Sequence, residues 1–208
     1  SWLIDSAGKP FFAHGVTHIG HGKFGDVNVI GEACRALGFN AYGYCCPPAL
    51  RGDIPYLEGR NIVPTSTYAF PNGFRYVDVF DPAVQTRLTN QIQNLCRASR
   101  NNPNLIGYCW TDLGAWPLES RAGTNWVEFI HALPEDAPGQ VAYQKFLSEW
   151  EGEDEHRDLE FLRLIAREYF RVIGTAQRKF DPDHLVFGDR FAFNTLVPEV
   201  LKEILPWV

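Results

Sequence analysis

Five apolar runs of strand length, each followed by a loop and an amphipathic stretch of helical period, succeed one another along the 208 residues with no hairpin signal between neighbours. Strands that alternate with helices in this way lie parallel, because each crossover returns the chain to the same end of the sheet before the next strand begins. A doubly wound sheet and a (β/α)8 barrel both satisfy that order. No P-loop lysine is present, and "GHGKFG" after the first run, though its glycines fall at the G-x-G-x-x-G spacing, is read as a glycine-rich loop, so a barrel is preferred to the doubly wound sheet. The expected class is therefore α/β, a (β/α)8 TIM barrel. Such a barrel takes about 250 residues. Five to six β/α units, ending at what reads as a strand start, predict that the barrel is incomplete by its last two or three strands.

The units can be placed along the chain. A first strand is expected over residues 11 to 18, ahead of the glycine-rich "GHGKFG". Asp26 can cap a helix whose Val27, Ile30, Cys34 and Leu37 fall at helical spacing, and Gly38 sits where such a helix ends. "NAYGYCC" reads as the second strand and, beyond a Pro-rich loop, "NIVPTSTYA" as the third. Asp81 is a good N-cap with Pro82 at the first helical position, and Val84, Leu88, Ile92, Leu95 and Cys96 form one stripe. Residues 105 to 110, "LIGYCW", make a fourth strand apolar enough for burial on both faces. From 114 to 155 the periodicity stops and Gly, Pro, Trp and acidic residues dominate. This predicts an insertion after strand four, with a short helix at "GQVAYQKFLSEW", in a single domain spanning residues 1 to 208. A long helix over 158 to 180, a fifth strand over 184 to 187, a helix opened by Pro198 and a strand beginning at "WV" complete the reading.

Composition narrows the partners. Net charge is -6 and the 19 basic residues are scattered, whereas a nucleic acid or an anionic membrane selects a basic patch. No stretch approaches a membrane span and no signal peptide is evident. The five cysteines lack a CxxC pair, so neither a disulfide framework nor a zinc knuckle is expected. No cofactor is assigned. The six Trp are a rich supply of flat rings, which fill cores and also stack on sugars. The absence of Met is expected of a segment of a longer chain, or of a sequence stripped of its methionine positions, in which case some spacings are one residue short.

In a parallel barrel, chemistry gathers at the C-terminal ends of the strands. Those ends deliver His18 and His21, then Tyr42 and Tyr44, then Ser66 and Tyr68, then Trp110, Asp112 and Trp116, and last Asp189 and Arg190. Asp112 reads either as a loop carboxylate bonding nearby amides or as an acid/base group, its proton held by desolvation between Trp110 and Trp116. Asp189 and Arg190 read either as an ion pair pinning a loop or as a carboxylate and guanidinium binding sugar hydroxyls. His18 and His21 have a spacing that suits a metal, but a neutral His donating to a hydroxyl fits the same positions, and no metal site is assigned.

"FFAHGVTHIG", "LGFNAYGY", "NPNLIGYCWTD" and "HLVFGDRF" resemble, in order and spacing, the first, second, fourth and fifth strands of agarase-like glycoside hydrolases. The resemblance implies a TIM barrel of the large clan of retaining glycosidases. It implies cleavage of O-glycosidic bonds in a polysaccharide, agar or a related galactan, by paired carboxylates after strands four and seven. In that clan strand four usually ends in Asn-Glu, where this chain has Asp112 and Leu113. Asp112 is then the candidate catalytic acid/base. His18, His21, Tyr44, Tyr68, Trp110, Trp116, Asp189 and Arg190 are candidates to bind an oligo- or polysaccharide. A polymeric substrate would imply a secreted or periplasmic protein. The alternatives are a catalytically inactive carbohydrate-binding barrel, and a metal-dependent TIM-barrel hydrolase or isomerase using His18 and His21.

Overall fold

The protein is described from a computed structural model, which covers residues 3–5, 7–19, 25–63, 76–112, 116–119, 124–191 and 197–208. Five strands, β1 (Gly15–Val16), β2 (Ala41–Tyr42), β3 (Tyr56–Gly59), β4 (Leu105–Asp112) and β5 (Leu185–Arg190), form one sheet. They are parallel throughout and their spatial order is their chain order. Right-handed crossovers between strands laid down in sequence put all the connecting helices on one face. A spatial order that follows the chain order is that of a sheet wound in one direction, as in a partial TIM-barrel-like fold.

Helices occupy three of the four crossovers, and the β2-to-β3 connection carries a 3-10 turn over Pro48–Leu50. α1 (Val27–Ala36) starts at Asp26, whose carboxylate accepts from the Asn28 amide, and is followed by Gly38 at φ +84°. α2 (Pro82–Ser99) starts at Asp81 with Pro82 inside its first turn, and buries Leu88, Ile92, Leu95 and Cys96. Within the β4-to-β5 connection lie α3 (Trp126–His131), α4 (Pro138–Glu149) and the 27-residue α5 (Asp154–Phe180). α6 (Pro198–Ile204) follows β5. α4 has no side-chain cap of its own; Asp78, far off in sequence, accepts from the Gly139 amide at 2.8 Å and stands in for one.

The core lies between the sheet and these helices. Tyr42, Tyr56, Tyr108 and Trp110 face it from the strands, and Phe161, Ile165, Tyr169, Phe170 and Ile173 of α5 meet them, with Trp110 stacked on Phe170 at 6.2 Å. On β5, Leu185 and Phe187 are 45% and 47% exposed while Val186 between them packs on the core. The strand is therefore covered on the helix side only.

Several sequence expectations shift. The third strand is Tyr56–Gly59, ahead of the expected "NIVPTSTYA", most of which lies outside the described residues. It was hidden by Glu58, a charged residue buried in the strand because Arg51 pairs with it at 2.7 Å and Ser99 donates to it at 2.9 Å. β5 runs three residues further than expected. "WV" closes a 3-10 turn over Leu205–Trp207 rather than opening a strand, since Trp207 turns back under the Arg178 guanidinium, 4.7 Å from its ring. The insertion carries two helices instead of one.

At the N-terminal end of the sheet, the Tyr108 hydroxyl donates to Asp181 at 2.6 Å, and His184 Nδ1 lies 2.9 Å from the same carboxylate. Burial works to raise the Asp181 pKa, but these donors outweigh it and hold the group below its ordinary value. A carboxyl with a lowered folded pKa adds stability above its unfolded pKa of about 3.9 and loses it as pH falls through the folded value. Tyr108→Phe should therefore cost about 1–3 kcal/mol at neutral pH, measured by urea unfolding. Its deficit should shrink as the medium is acidified below pH ~3.9; a deficit that is constant with pH would show that the Asp181 charge is not what the phenol serves.

Candidate functional site at the strand exits

Pairing between β4 and β5 slips twice. Tyr108 sits opposite Val186 but Cys109 opposite Gly188, so β5 bulges by one residue at Phe187; Cys109 to Asp112 then spans one residue more than Gly188 to Arg190, so β4 bulges in return. Gly188, at φ +71°, takes up the first slip in a conformation that suits glycine. In an unbroken strand Val186, Gly188 and Arg190 would share the core face; the slip reverses this beyond Gly188. Asp189 is buried behind the strand ends, and Arg190 lies across them.

Arg190 is held on three sides. Its Nε donates to Asp112 Oδ1 at 3.1 Å, and its guanidinium lies 3.9 Å over the Tyr44 ring. Beneath it is Gly59, where a Cβ would stand 2.8 Å from Arg190 Nη1 and 3.2 Å from Tyr44 Cβ. The Asp112 and Arg190 side chains are 18% and 19% exposed, a partly buried pair at the mouth of the sheet. The Asp112 amide donates to Asn61 Oδ1 at 2.9 Å, fixing the end of β4 to the residues after β3. His18 stands edge-on to Tyr44 at 4.9 Å. His18 and Cys45 both adopt left-handed φ, +61° and +65°, an arrangement uncommon for non-glycine residues and, among the described residues, confined to the exits of β1 and β2.

Behind this layer, Asp189 is 7% exposed. Its Oδ1 accepts from the Thr111 amide at 3.1 Å and its Oδ2 from Trp116 Nε1 at 3.3 Å. Burial pushes the Asp189 carboxyl up to about 7, against the opposing pull of Trp116, the Thr111 amide and Arg190. Thr111 Oγ1 in turn accepts from the Ile62 amide and lies 3.4 Å from the Tyr169 hydroxyl.

Asp112, Arg190, Tyr44 and His18 thus meet at one end of the sheet, with Asp189 directly behind them. His21, Ser66, Tyr68 and Leu113 lie outside the described residues. The two indoles expected to wall Asp112 are elsewhere. Trp110 is 0% exposed and faces α5; Trp116 is 2% exposed and stacks on Trp126 at 5.1 Å. Rings so covered have no face to offer a sugar, and the carboxyl with an indole beside it is Asp189. One face of Tyr44 is likewise taken by the guanidinium. Asn61, Gly59 and Gly188 escaped the sequence reading because their contributions depend on register rather than on residue type.

Among the described residues, three potential metal ligands come together at Glu153, Glu155 and His156, all exposed on the solvent side of the α5 start. No described helix is long and apolar enough to cross a membrane.

The packing of Arg190 on Gly59 can be tested by coupling. Gly59→Ala should cost about 1–3 kcal/mol by overpacking, read by urea unfolding. In an Arg190→Ala background the same change should cost about half of that or less. Equal costs in the two backgrounds would mean that Arg190 does not rest on Gly59.

No protein-family model and no curated protein matches this chain. Solved structures do. An agarase, AgWH50C, superposes with a TM-score of 0.69 at 20% identity, over 87% of this chain and 29% of the agarase. An exo-beta-agarase gives 0.70 at 18% identity, over 89% of this chain and 32% of its own. BpGH50 gives 0.70 at 16% identity, over 99% of this chain and 53% of its own. The chain thus spans about a third to a half of the length of these proteins, and at such identity the likeness is one of fold.

Proposed function

We propose that this chain forms part of an agarase-like glycoside hydrolase, with β1 to β5 as one arc of a (β/α)8 ring and the substrate a polysaccharide of the agar or galactan type. The observation that carries the reading is the Asp112–Arg190 pair over Tyr44, set at the strand exits of a sheet whose fold is shared with agarases. Strand exits are where such barrels place chemistry.

Glycosidic cleavage needs two carboxyl groups, one to protonate the departing oxygen and one to attack the sugar or activate water. In this proposal Asp112 is the first. A separation of about 5 Å from its partner would give retention, and about 6.5–9.5 Å inversion. Arg190 orients Asp112, and a sugar hydroxyl would meet this pair and His18. Asp189 supports this layer from behind.

A second reading, carbohydrate binding without cleavage, is favoured by a particular pair of facts. Asp112 is engaged by Arg190, and Leu113 occupies the place where the resemblance would put the proton-donating Glu. One experiment separates the two. If Asp112 is the acid, the intact protein should cleave agar oligosaccharides, and Asp112→Asn should lower that rate by about 10²-fold or more while the fold persists by circular dichroism. Undiminished turnover in Asp112→Asn removes Asp112 from the mechanism. Oligosaccharide binding by calorimetry with no turnover in either protein selects the binding reading.

A further inference from the structure

Asp189 is surrounded by conflicting demands. Its oxygens face a backbone amide and an indole N–H, each able to donate a proton and neither able to accept one. Such neighbours call for a carboxylate. Burial disfavours that charge, and its usual remedy is not at hand, because the neighbouring Arg190 turns its guanidinium to Asp112 and Tyr44. The other ionisable group facing Asp189 is Tyr169 of α5, a phenol itself held neutral by complete burial. β4 presents Thr111, and Asp112 only through Arg190; the segment after β4 presents Trp116.

A proton on either oxygen removes the charge that makes it a strong acceptor, so the contact with an N–H loosens. The Thr111 amide is fixed within β4, whereas Trp116 lies beyond the strand and makes the longer bond, 3.3 Å against 3.1 Å. The indole is the partner that gives way.

We infer that Asp189 is a positioning residue: as a carboxylate it ties the Trp116 indole to the end of β4, and on taking up a proton it lets that indole go. The carboxyl's position near 7 puts this exchange within the neutral range. The sign follows from linkage: a raised folded pKa means that the proton is bound more tightly in the folded chain, so the tie is made as pH rises through about 7. This inference stands apart from the sugar-cleaving reading, since it concerns the joint between β4, β5 and the following segment.

The test is a titration of the indole N–H resonances of protein labelled at its tryptophans, with Trp116 assigned by its loss in Trp116→Phe. From about pH 5 to about pH 9 the Trp116 resonance should move downfield with a midpoint near 7, as the hydrogen bond to the carboxylate forms. In Asp189→Asn, whose amide presents a donor to one N–H, the resonance should stay at its low-pH position throughout. A resonance that does not move in the wild type, or that moves alike in Asp189→Asn, overturns the inference. Should Asp189→Asn not fold, Asp112→Asn decides: a titration that survives in it supports Asp189 as the group sensed, and one that disappears assigns the event to the Arg190 pair and overturns the proposal.

Discussion

A one-residue bulge in β5, answered by one in β4, decides where each polar group at the C-terminal end of the sheet points. In an unbroken strand successive side chains alternate, so residues two apart share a face. Trp110 and Asp112 should then both look toward α5. The return bulge between Cys109 and Asp112 breaks the alternation: Trp110 enters the core while Asp112 meets Arg190 over Gly59. Gly188, in its left-handed conformation, makes the β5 slip affordable, and it is Asp189 rather than Arg190 that turns inward as a result.

The Arg190 cradle depends on the shape of the guanidinium. A planar, delocalised cation can lie flat on Tyr44 and still donate from its edge to Asp112, which an ammonium cannot do from one position. Gly59 matters for the same reason, because the plane needs clearance below as well as a ring above. Asn61, by accepting from the Asp112 amide, transfers the position of β3 to β4, so three strands and the loop after β2 hold one ion pair. Asp189 accepts no hydrogen bond from that cation, and its proton affinity is decided by burial against two N–H donors and the charge of Arg190.

The helical half of the fold was legible from the sequence because it is written in side-chain period and capping chemistry. Asp26, Asp81, Pro82 and Gly38 do what their types lead one to expect, and the stripes of α2 and α5 face the core. The parallel sense of the strands followed from alternation, and their order from preferring a barrel to a doubly wound sheet. β3 was not legible, because four residues containing a Glu carry no apolar signal; the Arg51 and Ser99 partners that make Glu58 acceptable come from a distant turn and from α2. The site was legible as a set of positions and not as a geometry. Asp112 and Arg190 could be named from their places at strand ends, but their pairing, and the transfer of the indole neighbour from Asp112 to Asp189, follow from bulges that leave little trace in composition.

That transfer changes what the aromatic surplus can mean. Trp110, Trp116 and Trp126 join Tyr169 and Phe170 in one packed cluster, so the tryptophans nearest the strand exits serve the core. Aromatic content therefore lends no weight to a sugar-stacking wall here, and the case for carbohydrate rests on polar groups: a guanidinium, a carboxylate at its side, and an imidazole edge-on to Tyr44. Groups of this kind recognise hydroxyls by direction and number rather than by area. A site built this way discriminates between glycans by which hydroxyls it can satisfy, since each one it leaves unpaired in a desolvated cleft costs about as much as a good hydrogen bond gains.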